Sequence, residues 1–364
     1  MGDTTGKRRG RVPVVAGAIA DDVRRQIAMG KLTPGMQLPR RLEMQRIYDA
    51  SPVTIQSAMD WLVADGLLET HGRAGTFVAE NAPLVTNVAL VFAAARNDPY
   101  HWNRFYDALA TSAAGWRQEP ARRFAMYHCA PSGDTTPESQ RLRADMRALR
   151  FGGVIHITGM LPDDLLTWQQ EFMLPFVAVT TSGARTKAPA VVGLSYDSFL
   201  ERAVERLAQR GRRRVAILVD PVMWLDGQEA AFERAAARCG VEARAHHRQL
   251  VSVTVPVCAR AAAHVLMRLP PEDRPDALIV ADDNLGPHAV QGLKDAGVAI
   301  GTDLDVVVHA NFPSESEFRD LPVTRLGFDA REVLEAAVGV IDRWRETGIA
   351  GGRAEVEARF EEEG

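Results

Sequence analysis

The chain has 364 residues, 46% hydrophobic and 25% charged, with 43 Lys and Arg against 47 Asp and Glu. That length exceeds one ordinary core and predicts two or three domains, and the net charge of −4 excludes a protein coated in cations for bulk nucleic-acid binding. No apolar run approaches the ~18 residues of a membrane helix, and three widely spaced cysteines, Cys129, Cys239 and Cys258, fit reduced thiols rather than a disulfide framework or a zinc site.

Residues 1–12 carry Lys7, Arg8, Arg9 and Arg11 with no apolar stretch behind them. They read as a basic flexible arm rather than a secretory signal, and a cytoplasmic location is expected. Charge is uneven: residues 1–80 hold 11 Lys and Arg against 9 Asp and Glu, and the remainder holds 32 against 38. A mildly basic head on an acidic body permits DNA binding by one face. Within 13–80, Ala16, Ile19, Ala20, Val23 and Ile27 recur at helical spacing, and Gly30 with the turn Leu32-Thr33-Pro34-Gly35 ends that helix. A short second helix is expected over about 41–48. Ser51-Pro52 then supplies a hydroxyl cap and a proline at the first helical position. It opens a third helix with Ile55, Ala58, Met59 and Leu62 on one stripe and Gly66 at its end. Two short strands, 67–70 and 76–79, follow, joined by the glycine-containing turn His71-Gly72-Arg73-Ala74-Gly75. Three helices and a β-hairpin make a winged helix-turn-helix. The edge of its third helix carries small hydroxyls and an amide that suit base edges in a major groove, and its hairpin carries a cation for phosphates.

These stretches resemble a known family. Gly30-Lys31-Leu32-Thr33-Pro34-Gly35-Met36-Gln37-Leu38-Pro39 looks like the entry motif of GntR-type regulators. Ser51 to Leu62 resembles their recognition helix, and Asp65-Gly66-Leu67-Leu68 with Gly72-Arg73-Ala74-Gly75-Thr76-Phe77-Val78 resembles their wing. The resemblance spans about residues 15–79 and implies binding to double-stranded operator DNA through Arg40, Arg41, Ser51, Thr54, Gln56, Ser57, Arg73 and Thr76. Pro52 and Gln56 stand where the family usually has arginines, and Arg40-Arg41-Leu42 replaces its usual Ser-Glu-Arg. Arg40 or Arg41 taking over a phosphate or base contact is one consequence of that departure.

Residues 81–84 (Asn81-Ala82-Pro83 and Leu84) read as a linker. From 85 to 364 apolar runs alternate with amphipathic stretches. Strands are expected at 88–93, 124–128, 153–157, 176–179, 191–194, 215–219, 277–281 and 304–308, and helices at 106–116, 138–149, 198–210, 229–239, 259–269 and 286–297. Such alternation predicts parallel sheets covered by helices, and so many units predict two lobes. The fold class expected is therefore α/β multidomain: a winged helix-turn-helix followed by a two-lobed effector-binding and dimerisation domain.

Several runs here resemble the LacI and periplasmic-binding-protein type of domain: Asn87 to Phe92, Leu194-Ser195-Tyr196-Asp197, Ala208 to Ala216, Pro275 to Asp283, Ala289 to Leu293, Thr302 to Val307 and Val323 to Leu326. A GntR-type head on such a body is similar to arabinose-responsive repressors. The likeness implies a hinged cleft that closes on a small sugar-like effector and alters the spacing of two DNA heads in a homodimer. In open α/β sheets ligands sit beyond the carboxyl ends of strands. That rule and the motifs select Tyr100, Trp102, Asp197, Trp224, Asp226, Gln228, Asp282 and Asn311. Carboxylates and amides there suit sugar hydroxyls, and an aromatic ring suits a sugar face. Gln228 and Asn311 stand where the LacI family often has an arginine and an aspartate.

No P-loop, nucleophile elbow, G-x-G-x-x-G after a strand or H-E-x-x-H is present, so no enzyme, cofactor or metal site is expected. Two readings remain for the chain: an effector-controlled transcription regulator, acting as a repressor, or a ligand-binding signalling module that has lost specific DNA binding.

Overall fold

The computed structural model describes residues 11–28, 30–98, 102–116, 122–129, 136–157, 163–180, 187–314, 317–318 and 320–363. The head consists of α1 (Arg11–Ala28), α2 (Arg41–Tyr48), α3 (Pro52–Ala64), β1 (Leu68–Thr70) and β2 (Thr76–Val78). α1 buries Ala16, Ile19, Ala20, Val23 and Ile27, and α3 buries Ile55, Ala58, Met59 and Leu62, so the two apolar stripes face one another. β1 and β2 pair antiparallel, with Leu68 opposite Val78. α1 starts at Arg11, inside the stretch expected as an arm; residues 1–10 lie outside those described.

The stretch expected as a linker is packed. α4 (Pro83–Thr86) leads directly into the body, and Ala82 and Leu84 are buried. They lie in one apolar core with Leu62 and Leu67 of the head and Tyr127, Leu142, Met146, Leu149 and Phe151 of the body. Gly152 lies so close to the Leu84 carbonyl that a Cβ there would stand 1.7 Å from the oxygen. Arg150 of the body reaches Asp65 of the head at 3.7 Å, and Asp65 also takes Arg24 of α1.

The body continues with β3 (Asn87–Phe92), α5 (Arg104–Ala114), β4 (Arg123–His128), α6 (Pro137–Arg147), β5 (Val154–Ile157), α7 (Asp163–Phe172), β6 (Phe176–Thr180) and β7 (Ala190–Ser195). α8 (Tyr196–Gln209), β8 (Val215–Val219), α9 (Pro221–Met223), α10 (Glu229–Cys239), β9 (Arg248–Leu250), α11 (Cys258–Leu266), β10 (Ala277–Val280) and α12 (Gly286–Asp295) follow. The remaining elements are β11 (Asp305–Phe312), β12 (Thr324–Asp329), α13 (Ala330–Thr347), β13 (Gly352–Glu357) and β14 (Arg359–Phe360). One sheet has the order β13-β7-β6-β5-β3-β4 and is parallel throughout; the other has the order β14-β12-β11-β10-β8-β9 and is parallel except for β14. Near-continuous apolar strands such as Val215–Val219 and Ala277–Val280 are wholly buried, as strands covered on both faces must be.

Three segments pass between the sheets: β7 into α8, β12 into α13, and β13 into β14. They are laced together. The Ser198 hydroxyl donates to the Ser195 carbonyl and accepts from the Ala358 N–H, both at 2.8 Å. Arg359 pairs with Asp329 and, at 3.2 Å, with Glu332. A few residues that link two rigid sheets are the usual form of a hinge.

The strand expected at 304–308 runs on to Phe312. The apolar run stops at Val308, but the ladder to β12 continues through Asn311 opposite Phe328 and Phe312 opposite Asp329. α7, α13, β9 and β12–β14 were not among the elements expected from periodicity.

Candidate DNA-binding head and interlobe cleft

The third helix of the head begins as its sequence predicts. The Ser51 hydroxyl accepts from the Thr54 N–H at 3.2 Å and Pro52 occupies the first turn. The Ser51 and Thr54 hydroxyls also meet at 2.8 Å, which turns Thr54 inward and leaves it only 6% exposed. Thr54 thus belongs to the cap and not to the open edge expected for it. That edge is formed by exposed Ser51, Pro52 and Val53, half-buried Gln56 and Ser57, and exposed Asp60. Gln56 donates to the Asp60 carboxylate at 2.5 Å, and Ser57 donates to the Val53 carbonyl at 3.0 Å.

Four of the other expected contacts come together. Arg40, Arg41, Arg73 and Thr76 line one recess of about 380 Å3 between the start of α2 and the wing, with Met44 and Met59 at its base. The wing tip is held by Gln37, which donates to the Ala74 carbonyl at 2.6 Å. Gly75 has a φ of 125°, and a Cβ there would stand 2.5 Å from that amide. Arg40, Arg41 and Arg73 are exposed and form no ion pair among the described residues. Three free cations on a concave surface create a positive potential beside a helix edge that carries none.

The second candidate lies at the carboxyl ends of β8, β10 and β11. Asp220, after β8, is buried and accepts from the Val222 and Val253 N–H groups at 2.9 and 3.0 Å. Asp282 accepts from both the backbone and side-chain nitrogens of Asn284 at 2.8 Å. Asp283 accepts from the Asn311 amide at 2.8 Å. Burial raises the Asp282 carboxyl, with Asp220 adding to the rise and Asn284 opposing it. Burial, reinforced by Asp282, lifts Asp283 to about 7, against the pull of the Asn311 hydrogen bond. Behind them His309 meets the Tyr196 hydroxyl at 3.3 Å and stacks on its ring, with centroids 5.5 Å apart. Burial lowers His309 to about 3, so the ring is neutral.

Asn311 therefore lies within β11, buried against Asp283, and not beyond the strand end as expected. Trp224 is buried, with its ring 6.0 Å from Phe232. Gln228 is buried and its Oε1 has no hydrogen-bond partner among the described residues. Asp197 is exposed and pairs with Arg234 of α10 at 2.9 Å, a contact on the outer α8–α10 surface that does not join it to Asp282. Trp102 is half-buried among Phe92, Tyr106 and His128, and its Nε1 donates to Asp107 at 2.8 Å. Arg104, two residues on, reaches Glu317 of the other lobe at 2.8 Å. Tyr100 and the side chain of Asp226 lie outside what the structure describes. Sequence reasoning missed Asp283, Tyr196, His309 and Arg104. The i, i+2 spacing of His309 and Asn311 and the adjacency of Asp283 to Asp282 were the available signals.

Residues 15–78 match the bacterial regulatory protein family gntR, and residues 204–357 match the periplasmic binding protein-like domain. The chain thus joins a GntR-family winged-helix head to a periplasmic-binding-protein-like body. Over 62 residues it is 42% identical to the mannosyl-D-glycerate transport/metabolism system repressor MngR of Escherichia coli. That match covers 17% of this chain and 26% of the repressor, about a quarter of its length. The fold resembles a regulatory protein of the LacI family from Chloroflexus aggregans, with a TM-score of 0.55, 18% identity, and coverage of 75% of this chain and 96% of that one. It also resembles a transcriptional regulator CelR–cellobiose complex, with a TM-score of 0.58, 20% identity, and coverage of 85% and 90%. No helix among the described residues is long and apolar enough to cross a membrane.

Proposed function

We propose that the chain is a sequence-specific DNA-binding transcription regulator, a repressor working as a homodimer in the cytoplasm and controlled by a sugar-like effector in the interlobe cleft. The observation that carries this reading is the arginine-lined recess beside the open edge of α3. Arg40, Arg41 and Arg73 suit the phosphates flanking a groove, while Ser51, Gln56 and Ser57 suit base edges within it. The 42% identity of the head to part of a repressor supports the same reading. The regulator reading needs no reaction, and the chain is taken as a binder rather than an enzyme.

For the effector, Asp282, Asp283, Asn284 and Asn311 supply acceptors and donors that match vicinal hydroxyls, and Trp102 supplies a ring for a sugar face. The cellobiose held by one structural relative is consistent with that chemistry. An effector bridging the lobes favours the closed form, and it regulates only if DNA prefers the other form. A residue pair already spans the lobes, Arg104 to Glu317, so closure has a latch to strengthen.

A second reading, a ligand-binding module without specific DNA binding, is favoured by one observation: Asp60 is the single charged side chain of α3. Fluorescence-anisotropy titration separates the two, using the DNA upstream of the gene and a scrambled duplex of equal length at about 50 and 200 mM salt. The regulator binds the first at least tenfold more tightly and loses affinity steeply with salt. Equal affinity for both duplexes overturns it.

A further inference from the structure

The open edge of α3 carries one side chain that phosphate contacts and polar base contacts leave without a task. Val53 is 66% exposed and follows Pro52, itself exposed, in the first turn. It shares a stripe with Gln56, Ser57 and Asp60, at i, i+3, i+4 and i+7, on the side of the helix away from the buried Ile55, Ala58, Met59 and Leu62. A valine there adds nothing to the core of the head, and its branched side chain lowers helix propensity.

Its polar neighbours are each turned to a partner within the helix. The Ser51 hydroxyl meets the N–H and the hydroxyl of Thr54 at 3.2 and 2.8 Å, the Ser57 hydroxyl donates to the Val53 carbonyl at 3.0 Å, and the Gln56 amide donates to Asp60 at 2.5 Å. Pro52 has no N–H to offer a phosphate. The first turn therefore presents an apolar step, Pro52-Val53, beside the recess that holds Arg40, Arg41 and Arg73. The N-terminal residues of a recognition helix are those that reach base edges. In the major groove the apolar feature of those edges is the C5-methyl group of thymine; adenine, guanine and cytosine present acceptors and donors that a valine cannot pair. Covering such a polar edge with an isopropyl group strips its water and returns no hydrogen bond.

We propose that Val53 is a thymine reader: its isopropyl group packs on the C5-methyl of a T·A pair in the operator, while the arginines fix the register through phosphates. The assignment rests on the DNA-binding reading and adds to it the base that this edge selects.

The test repeats the anisotropy titration with the upstream duplex remade with uracil at every thymine, which keeps the hydrogen-bonding edges and removes only the methyl groups. Burying one methyl group changes affinity about fourfold. The wild-type chain therefore binds the uracil duplex about fourfold more weakly than the thymine duplex. Val53→Ala, an exposed change to a better helix former checked for folding by circular dichroism, binds the two forms alike. Comparing both proteins on both duplexes isolates the contact from any change in duplex stiffness. Sequence-specific binding that is unchanged in the uracil duplex, or a uracil penalty of equal size in Val53→Ala, overturns the proposal and leaves the regulator reading standing. Equal affinity of the wild type for the upstream and scrambled thymine duplexes overturns both.

Discussion

Asp283 keeps its proton in the fold to a far higher pH than a free aspartate does. Its carboxyl titrates at about 7 against an ordinary 3.8, because it is buried beside a second carboxylate. Between those values the folded chain binds more protons than the unfolded one, so stability falls as pH rises and levels off above about 7. Urea unfolding from pH 5 to pH 8 checks this: the wild type loses stability relative to Asp283→Asn as pH rises, and parallel curves refute the assignment. Its partner matters as much. Asn311→Ala removes the shorter of the two side-chain hydrogen bonds to that buried carboxyl, leaving only the Asn284 amide at 3.4 Å, and costs about 1–3 kcal/mol, read as a lowered unfolding midpoint. In the head, Arg73→Ala removes one cation from the recess and lowers the slope of log affinity against log salt by about one unit. The Gln56–Asp60 pair, in contrast, carries no positive charge, so Gln56→Ala alters which duplex is preferred more than it alters the salt slope.

The recognition-type helix stands on its first turn. Ser51→Ala removes both the cap to the Thr54 N–H and the hydroxyl that turns Thr54 inward, at a cost of about 1 kcal/mol, visible as a lowered midpoint of thermal unfolding. Much of this part was legible beforehand, because its signals are local. Ser51-Pro52, the stripe Ile55, Ala58, Met59 and Leu62, and the glycines of the wing each act within a few residues. The orientation of Thr54 was not legible, since two hydroxyls three residues apart suit either solvent or each other, and only the chain's path decides. The body divides in the same way. Wholly apolar strands such as β8 and β10 announce themselves, whereas β11 continues past its apolar run because a neighbouring strand supplies the ladder. β13 mixes Arg353, Glu355 and Glu357 with one buried valine, Val356, and takes its place from β7 beside it rather than from its own pattern. Of the cleft residues, Asp282 was marked by its motif. His309 and Tyr196 meet only because the crossing segment at α8 lies across β11, a contact between positions 113 apart.

Two lobes joined by three laced crossings set the terms for any conformational change. Arg104 and Glu317, 37% and 48% exposed, form the ion pair that spans them. Such a pair is worth at most about 1 kcal/mol, too little to matter for unfolding but enough to shift a balanced open–closed ratio about fivefold. Arg104→Ala therefore leaves the melting temperature within experimental scatter while raising the radius of gyration in small-angle scattering; an unchanged radius would show that the pair does not restrain the lobes. The seam near residues 80–84 has a different consequence. Because Leu84, Phe151 and Gly152 knit the head into the first lobe's core, a protease of broad specificity such as proteinase K has no loose strap to cut there under native conditions. Splicing a foreign head onto this body at residue 81 would bare a greasy face on each piece. A workable chimera has to carry its own counterpart of that face, so heads of this kind are exchanged together with the surface they rest on.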